Sequence, residues 1–196
     1  VDYFIFDNLR GFVDTSNVPS NTDPNKGHAP YEVDGDLMIN NGDSLAGWIG
    51  QFNANIAISA QHVEGTKAVA MTATAPKGQA ANVGAMAWFD FPTTDLSSYS
   101  YISLNLFISD PLPGAHNIQI NFTNTDDNAN AQDGYNYNWT DAADKKAGWY
   151  QVIIPKSAFQ HAVSTVSWTA VNRIRITWFN NPQIDTNVSF SFDGIM

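Results

Sequence analysis

Apolar and polar residues alternate along much of this chain, and helical spacing does not recur. In "YISLNLFIS" (101–109), Ile102, Leu104, Leu106 and Ile108 share one side, while Tyr101, Ser103, Asn105 and Phe107 share the other. A period of two is the mark of a strand with one buried face. "NIQINFT" (117–123) sets Ile118, Ile120 and Phe122 against Asn117, Gln119 and Asn121. "NRIRITWF" (172–179) sets Ile174, Ile176 and Trp178 against Arg173, Arg175 and Thr177. "QVIIP" (151–155) and "VSFSF" (188–192) continue the pattern, weaker strands are predicted over 54–60, 67–74 and 84–91, and one helical turn over 155–159. Gly, Pro, Asn and Asp punctuate the intervals between strands. The predicted fold class is therefore all-β, a two-sheet antiparallel β-sandwich or jelly roll.

Two long polar stretches interrupt the pattern, 14–36 and 124–138, and both are predicted to be loop or linker. The expected division is an N-terminal strand plus loop or linker over 1–36, then the sandwich over 37–196. The opening "YFIFDNL" (3–9) echoes the closing "SFSFDGI" (189–195). It reads either as the last strand of a preceding module or as an added N-terminal strand. The apolar run Tyr3, Phe4, Ile5 and Phe6 needs burial, which favours the added strand.

Composition narrows the function classes. The chain has 196 residues, 43% hydrophobic and 13% aromatic, enough for a full core in one domain. Only 14% are charged, and the net charge of −10 comes almost wholly from Asp, since Glu32 and Glu64 are the only glutamates. The nine Lys and Arg make no basic stripe, so nucleic acid and anionic membrane surfaces are poor partners. Cysteine is absent, which removes disulfides and thiol chemistry. No apolar run approaches the roughly 18 residues of a membrane span. A charge-poor surface built on Asn, Ser, Thr and Gln suits a secreted β-protein, with any leader outside these residues.

Six phrases, taken in order, resemble bacterial β-jelly-roll carbohydrate-binding modules of the galactose-binding-domain-like fold. They are "NNGDSLAGW" (40–48), "VEGTKAV" (63–69), "TDLSSYSYISLNLFI" (94–108), "GWYQVIIPKSAF" (148–159), "VNRIRITW" (171–178) and "FSFDGI" (190–195). The resemblance implies a polysaccharide or oligosaccharide ligand and a catalytic domain elsewhere in the full-length polypeptide. It also implies a structural calcium ion where the first and last strands meet the Glu-Gly turn. Matched by position, its ligands would be Asp43, Glu64 and Asp193, with Asp7 competing for the place of Asp43 if 3–9 is the opening strand. Calcium takes six to eight oxygens, from carboxylates and backbone carbonyls, which these segments could supply. The plainer alternative is that these acids cap their own turns. Gly194 departs from the family pattern, which often has a second acid there.

Sugar recognition needs aromatic faces and planar hydrogen-bonding groups. The expected ligand-binding residues are a loop-borne cluster of Tyr135, Tyr137 and Trp139, whose alternation puts three rings on one side, together with Gln119, Asn121, Arg173 and Arg175 from free strand faces. Trp88 alternates with Phe89 and Phe91, so it joins the set. Trp178, Trp149 and Trp48 are expected in the core, and Trp168 as a loop anchor. Glycoside hydrolysis needs two positioned carboxylates, and no such pair stands out. The four histidines are scattered, and no Gly-x-Ser-x-Gly elbow is present. The expectation is thus a non-catalytic module that targets a secreted polysaccharide-degrading enzyme to its glycan. The alternatives are a structural or adhesin domain of a surface protein, or a lyase or hydrolase domain.

Overall fold

The computed structural model describes residues 37–52, 54–63, 65–74, 85–108, 117–124, 134–139, 147–161, 165–179 and 187–196. Numbered in chain order, their strands form two antiparallel sheets. The six-stranded sheet runs β1 (Trp48–Phe52), β4 (Ala85–Thr94), β10 (Val171–Phe179), β6 (Asn117–Thr123), β7 (Tyr135–Trp139), β9 (Gln160–His161) in space. The five-stranded sheet runs β2 (Ala54–Ser59), β3 (Ala68–Thr74), β11 (Asn187–Asp193), β5 (Tyr101–Ile108), β8 (Gly148–Pro155). This is the sandwich that the alternation predicts.

The apolar faces meet between the sheets. Ile118, Ile120, Phe122, Ile174, Ile176 and Trp178 from the first sheet are buried with Leu104, Leu106, Ile108 and Phe192 from the second. Full burial of each such side chain contributes about 1.5–3 kcal/mol. Trp48 of β1 stacks on Phe192 of β11, 5.8 Å between ring centres, so one ring pair ties the two sheets together. The expected burial of Trp48 and Trp178 is therefore observed. Lys156, in the 3-10 turn Lys156–Ala158, donates to the carbonyls of Leu96 and Ser97 at 2.6 and 2.9 Å and lies over the Trp168 ring. Trp168 also accepts the Leu96 N–H at its own carbonyl, and so anchors that loop as expected.

Two expectations are corrected. Residues 135–138, predicted as the end of a loop over 124–138, belong with Trp139 to strand β7, which pairs with β6 along its whole length. Trp149 lies outside the core: Tyr150, Val152 and Ile154 of β8 face inward, which turns Trp149 to the outer face beside Phe107. Residues 1–36, including the expected N-terminal strand, lie outside the described residues.

The end of the chain is held at two places. Ile195 bridges Asn40, with Ile39 donating to the Ile195 carbonyl at 2.8 Å, and Met196 exchanges two 2.9 Å backbone bonds with Ser103. These contacts set β11 beside the 40–43 turn, which places Asp193 at a crowded corner.

Candidate functional site

The outer face of the six-stranded sheet gathers most of the polar candidates. Strand register lines up Ile49, Trp88, Arg175, Asn121, Asn136 and Gln160 in one row across all six strands. A second row holds Gln51, Met86, Thr177, Gln119 and Asn138. With strands about 4.8 Å apart, the first row spans on the order of 24 Å. Five of the expected ligand-binding residues, Trp88, Gln119, Asn121, Arg173 and Arg175, share this face because each alternates with a core residue.

At the β4 end, Arg173 grips Asp90 at two points: Nε donates to Oδ1 at 2.5 Å and Nη2 to Oδ2 at 2.8 Å. The same guanidinium lies 4.7 Å from the Trp88 ring centre, a cation–π contact. Two bonds and one stack leave the side chain little freedom, and Trp88 is held half-buried by the same contacts. Its indole Nε1 is shielded from solvent and has no hydrogen-bond partner among the described residues.

At the β6–β7 end the face is a ladder of amides. Asn121 Nδ2 donates to Asn136 Oδ1 at 2.9 Å, and Gln119 Nε2 donates to Asn138 Oδ1 at 3.1 Å. Gln119 Oε1 and Thr123 Oγ1 have no partner among the described residues. Burial is graded. Arg175, Asn121, Gln119 and Thr177 are buried, Trp88 and Arg173 are half-buried, and Asn138, Gln160 and Ile49 are exposed. The inner members fix the orientation of the outer ones, and an incoming molecule meets the outer ones first.

Tyr135, Tyr137 and Trp139 do share one side, as expected, but that side faces the core. Trp139 is buried, and Tyr135 and Tyr137 pack against the core cluster. Tyr135 is sandwiched between His161 and Trp168, with ring centres 4.4 and 4.1 Å away. The three rings are thus removed from the polar face, which β7 supplies through Asn136 and Asn138 instead. Those two amides, with Thr177 and Gln160, are the residues that sequence reasoning missed; their signal was the alternation of Asn136 and Asn138 with the three rings.

The acids expected to bind metal sit on the other sheet's side of the molecule. Asp43 Oδ1 accepts from Thr66 N at 2.7 Å, Thr66 Oγ1 at 3.0 Å and Lys67 N at 2.8 Å. These donors hold the carboxyl below its ordinary value, the Thr66 backbone N–H most of all. Asp193 is 0% exposed, and its Oδ2 accepts from Val63 N at 2.6 Å. The two acids therefore clamp the 63–67 turn from opposite ends. Glu64 and Asp7 lie outside the described residues, and among the described residues no three acidic, His or Cys side chains come together. Gly42, at φ +76°, brings its backbone so close to the corner that a Cβ there would lie 2.8 Å from Asp193 Oδ1 and 3.2 Å from the Lys67 carbonyl oxygen; both oxygens are of the kind that ligates calcium.

The fold is shared with solved carbohydrate-binding modules. The family 11 carbohydrate-binding module of the cellulosomal cellulase Lic26A-Cel5E of Clostridium thermocellum superposes with a TM-score of 0.56 at 14% identity, over 82% of this chain and 92% of that one. A family 11 module from Clostridium thermocellum in complex with a β-1,3-1,4-mixed-linked tetrasaccharide gives 0.55 at 13% identity, over 81% and 92%. SGBP-B from a complex xyloglucan utilization locus in Bacteroides uniformis gives 0.50 at 14% identity, over 81% of this chain and 48% of that one. No family profile and no curated relative matches the chain.

Proposed function

We propose that this protein is a non-catalytic carbohydrate-binding module whose ligand lies across the outer face of the six-stranded sheet. The observation that supports this most directly is the row Trp88–Arg175–Asn121–Asn136, a line of one aromatic and several planar hydrogen-bonding groups on the sheet face turned away from the core. A merely solvated face would spread Lys and Glu there. Trp88 and the exposed Asn138 are the first contacts; Arg173, Gln119 and Asn121 position them. β-Linked glycans such as β-glucans head the ligand classes, since the family 11 module of the same fold was solved with a β-1,3-1,4-mixed-linked tetrasaccharide.

Catalysis is not part of this reading. Asp90 is the one described carboxylate on the face, and Arg173 engages both of its oxygens, whereas glycoside hydrolysis needs a proton-donating and an ionised carboxylate. The module would serve a secreted polysaccharide-degrading enzyme in the same polypeptide by raising its local concentration at the glycan. A structural calcium ion at the Asp193 corner belongs to the proposal. Asp193, Glu64 and the Lys67 carbonyl would hold it, with Asp43 left to its amide donors, and its role would be to fix the 63–67 turn.

Affinity electrophoresis tests the reading. Wild type, Trp88→Ala and Asn138→Ala would run through gels of β-glucan, xylan, mannan, galactan, alginate and pectin. Retardation of wild type by one or two related glycans, lost in Trp88→Ala, is the expected result. No retardation in any gel would replace the proposal with a structural or adhesin domain.

A further inference from the structure

The polar face is not equally open along its length. Arg175, Asn121 and Asn136 are buried, so the middle of the first row is sealed. The β1–β4 end is open. Ile49 is 40% exposed and turns outward because its neighbour Trp48 turns into the core. Register sets Ile49 across from the half-buried Trp88, on strands about 4.8 Å apart. Ile49 and the indole therefore make one apolar floor at the edge of the sheet. Among the described residues, Ile49 is the one exposed large apolar side chain on this face.

Asp90 sets an acceptor beside that floor. It stands two residues from Trp88 on the same side of β4, about 7 Å along the strand. Arg173 donates one bond to each of its oxygens, and a carboxylate can accept about four, so acceptor capacity is left over. The Asp90 side chain is 33% exposed against 12% for Arg173, and Arg175 is buried. On the β1 flank its neighbour is Gly47, whose carbonyl accepts the Asp90 N–H at 3.0 Å and which has no side chain to cover the carboxylate. A molecule arriving at this end thus meets a negative oxygen rather than a guanidinium. An unpaired surface acid would swing among rotamers, whereas the Arg173 fork fixes this one in direction beside the ring, ready for a donor. A sugar hydroxyl is such a donor, and a carboxylate or sulfate on the ligand is repelled.

Resting on the carbohydrate-binding reading above, we infer that the β1–β4 edge is the anchoring subsite of the face and that it selects neutral sugars. One sugar ring lies with its C–H side on Trp88 and Ile49 and donates a hydroxyl hydrogen bond to Asp90. Ile49 and Asp90 are then specificity residues: the first asks for an apolar ring face, the second for an uncharged ring that carries a hydroxyl.

The test is a titration of 15N-labelled protein with hexasaccharides from β-glucan, mannan and galactan, each neutral and with its primary hydroxyls oxidised to carboxylates. The signals followed are the Trp88 indole N–H and the Asn138 side-chain amide. Trp88 is expected to move with at least one neutral hexasaccharide, and the oxidised form of that sugar should need at least about tenfold more ligand. Asp90→Asn keeps the shape and an oxygen for Arg173 but removes the charge, so that ratio should fall toward one. A merely structural role for Asp90 would weaken both forms and leave the ratio where it was. Ile49→Ala, which alters an exposed residue, should weaken both forms alike by about fourfold, the worth of one buried methylene. A ratio near one in wild type, a ratio unchanged in Asp90→Asn, or full affinity in Ile49→Ala overturns the inference and leaves the binding module standing. Movement of Asn138 without Trp88 does the same, and tighter binding of an oxidised form gives the face to acidic glycans instead. Movement of neither signal with any of these sugars overturns both the inference and the reading it rests on.

Discussion

The guanidinium of Arg173 holds the Asp90 carboxylate at two points while lying 4.7 Å from the centre of the Trp88 ring. The three residues come from adjacent strands, β10 and β4, and each would be freer without the others. A planar fork matches a carboxylate in a way that a lysine ammonium does not. Arg173→Lys should therefore keep the charge yet release the Trp88 ring. The expected outcome is about tenfold weaker glycan binding, a changed near-ultraviolet circular dichroism spectrum, and a stability loss of about 1 kcal/mol or less, as for a partly exposed ion pair. Binding equal to wild type would show that the ring needs no clamp.

The sandwich was legible because its strands follow a strict two-residue period, as in Ile174, Ile176 and Trp178. Alternation says which residues share a face, but not which face is buried. For Tyr135, Tyr137 and Trp139 the answer depends on pairing with β6, where Gln119 and Asn121 meet Asn138 and Asn136. Amide positions on both strands carried that information, and three rings in a row outweighed it. Trp149 was misplaced for a related reason: two inward residues, Val152 and Ile154, already fixed the parity of β8. The Arg173–Asp90 pair spans 83 positions, and no local pattern announces such a contact. β1 was missed because Gly50 and its short apolar run look like a turn rather than a strand.

Gly65 sits at φ +60°, and a Cβ there would lie 2.6 Å from Asp43 Oδ2. Left-handed backbone and a collision with the clamping carboxylate act together. Gly65→Ala should cost on the order of 1–3 kcal/mol, read as a lower urea midpoint with an unchanged slope. A neutral result would mean that the 63–67 turn rearranges freely, contrary to the clamp.

Asp43 gives the same turn a pH dependence. Its carboxyl is held below the ordinary 3.8 chiefly by the Thr66 backbone N–H, with burial opposing and the Thr66 hydroxyl, the Lys67 N–H and the charge of His62 adding to it. A carboxylate with a lowered folded-state pKa binds fewer protons folded than unfolded, so its stabilisation is fully present above 3.8 and is lost as pH falls below that value. Urea midpoints of wild type and Asp43→Asn should differ at pH 7 and converge below pH 3.8. A gap that stays constant across that range would remove the charged form of Asp43 from the account.

The calcium proposal makes a separate claim about Asp193. The carboxylate is fully buried and accepts the Val63 N–H, and a buried charge in such a place requires compensation by donors or by a cation. An ion bound only to the folded state adds about 2.7 kcal/mol at a hundred times its Kd, which for a domain of this size raises Tm by on the order of 5–10 °C. Wild type should therefore melt higher with calcium than with chelator. Asp193→Asn keeps the shape and removes the charge, so it should melt lower and show no calcium response. Asp43→Asn should melt lower yet keep its response, because its partners are amides and a hydroxyl rather than the ion. Equal melting of wild type in calcium and in chelator would mean that backbone donors alone compensate Asp193.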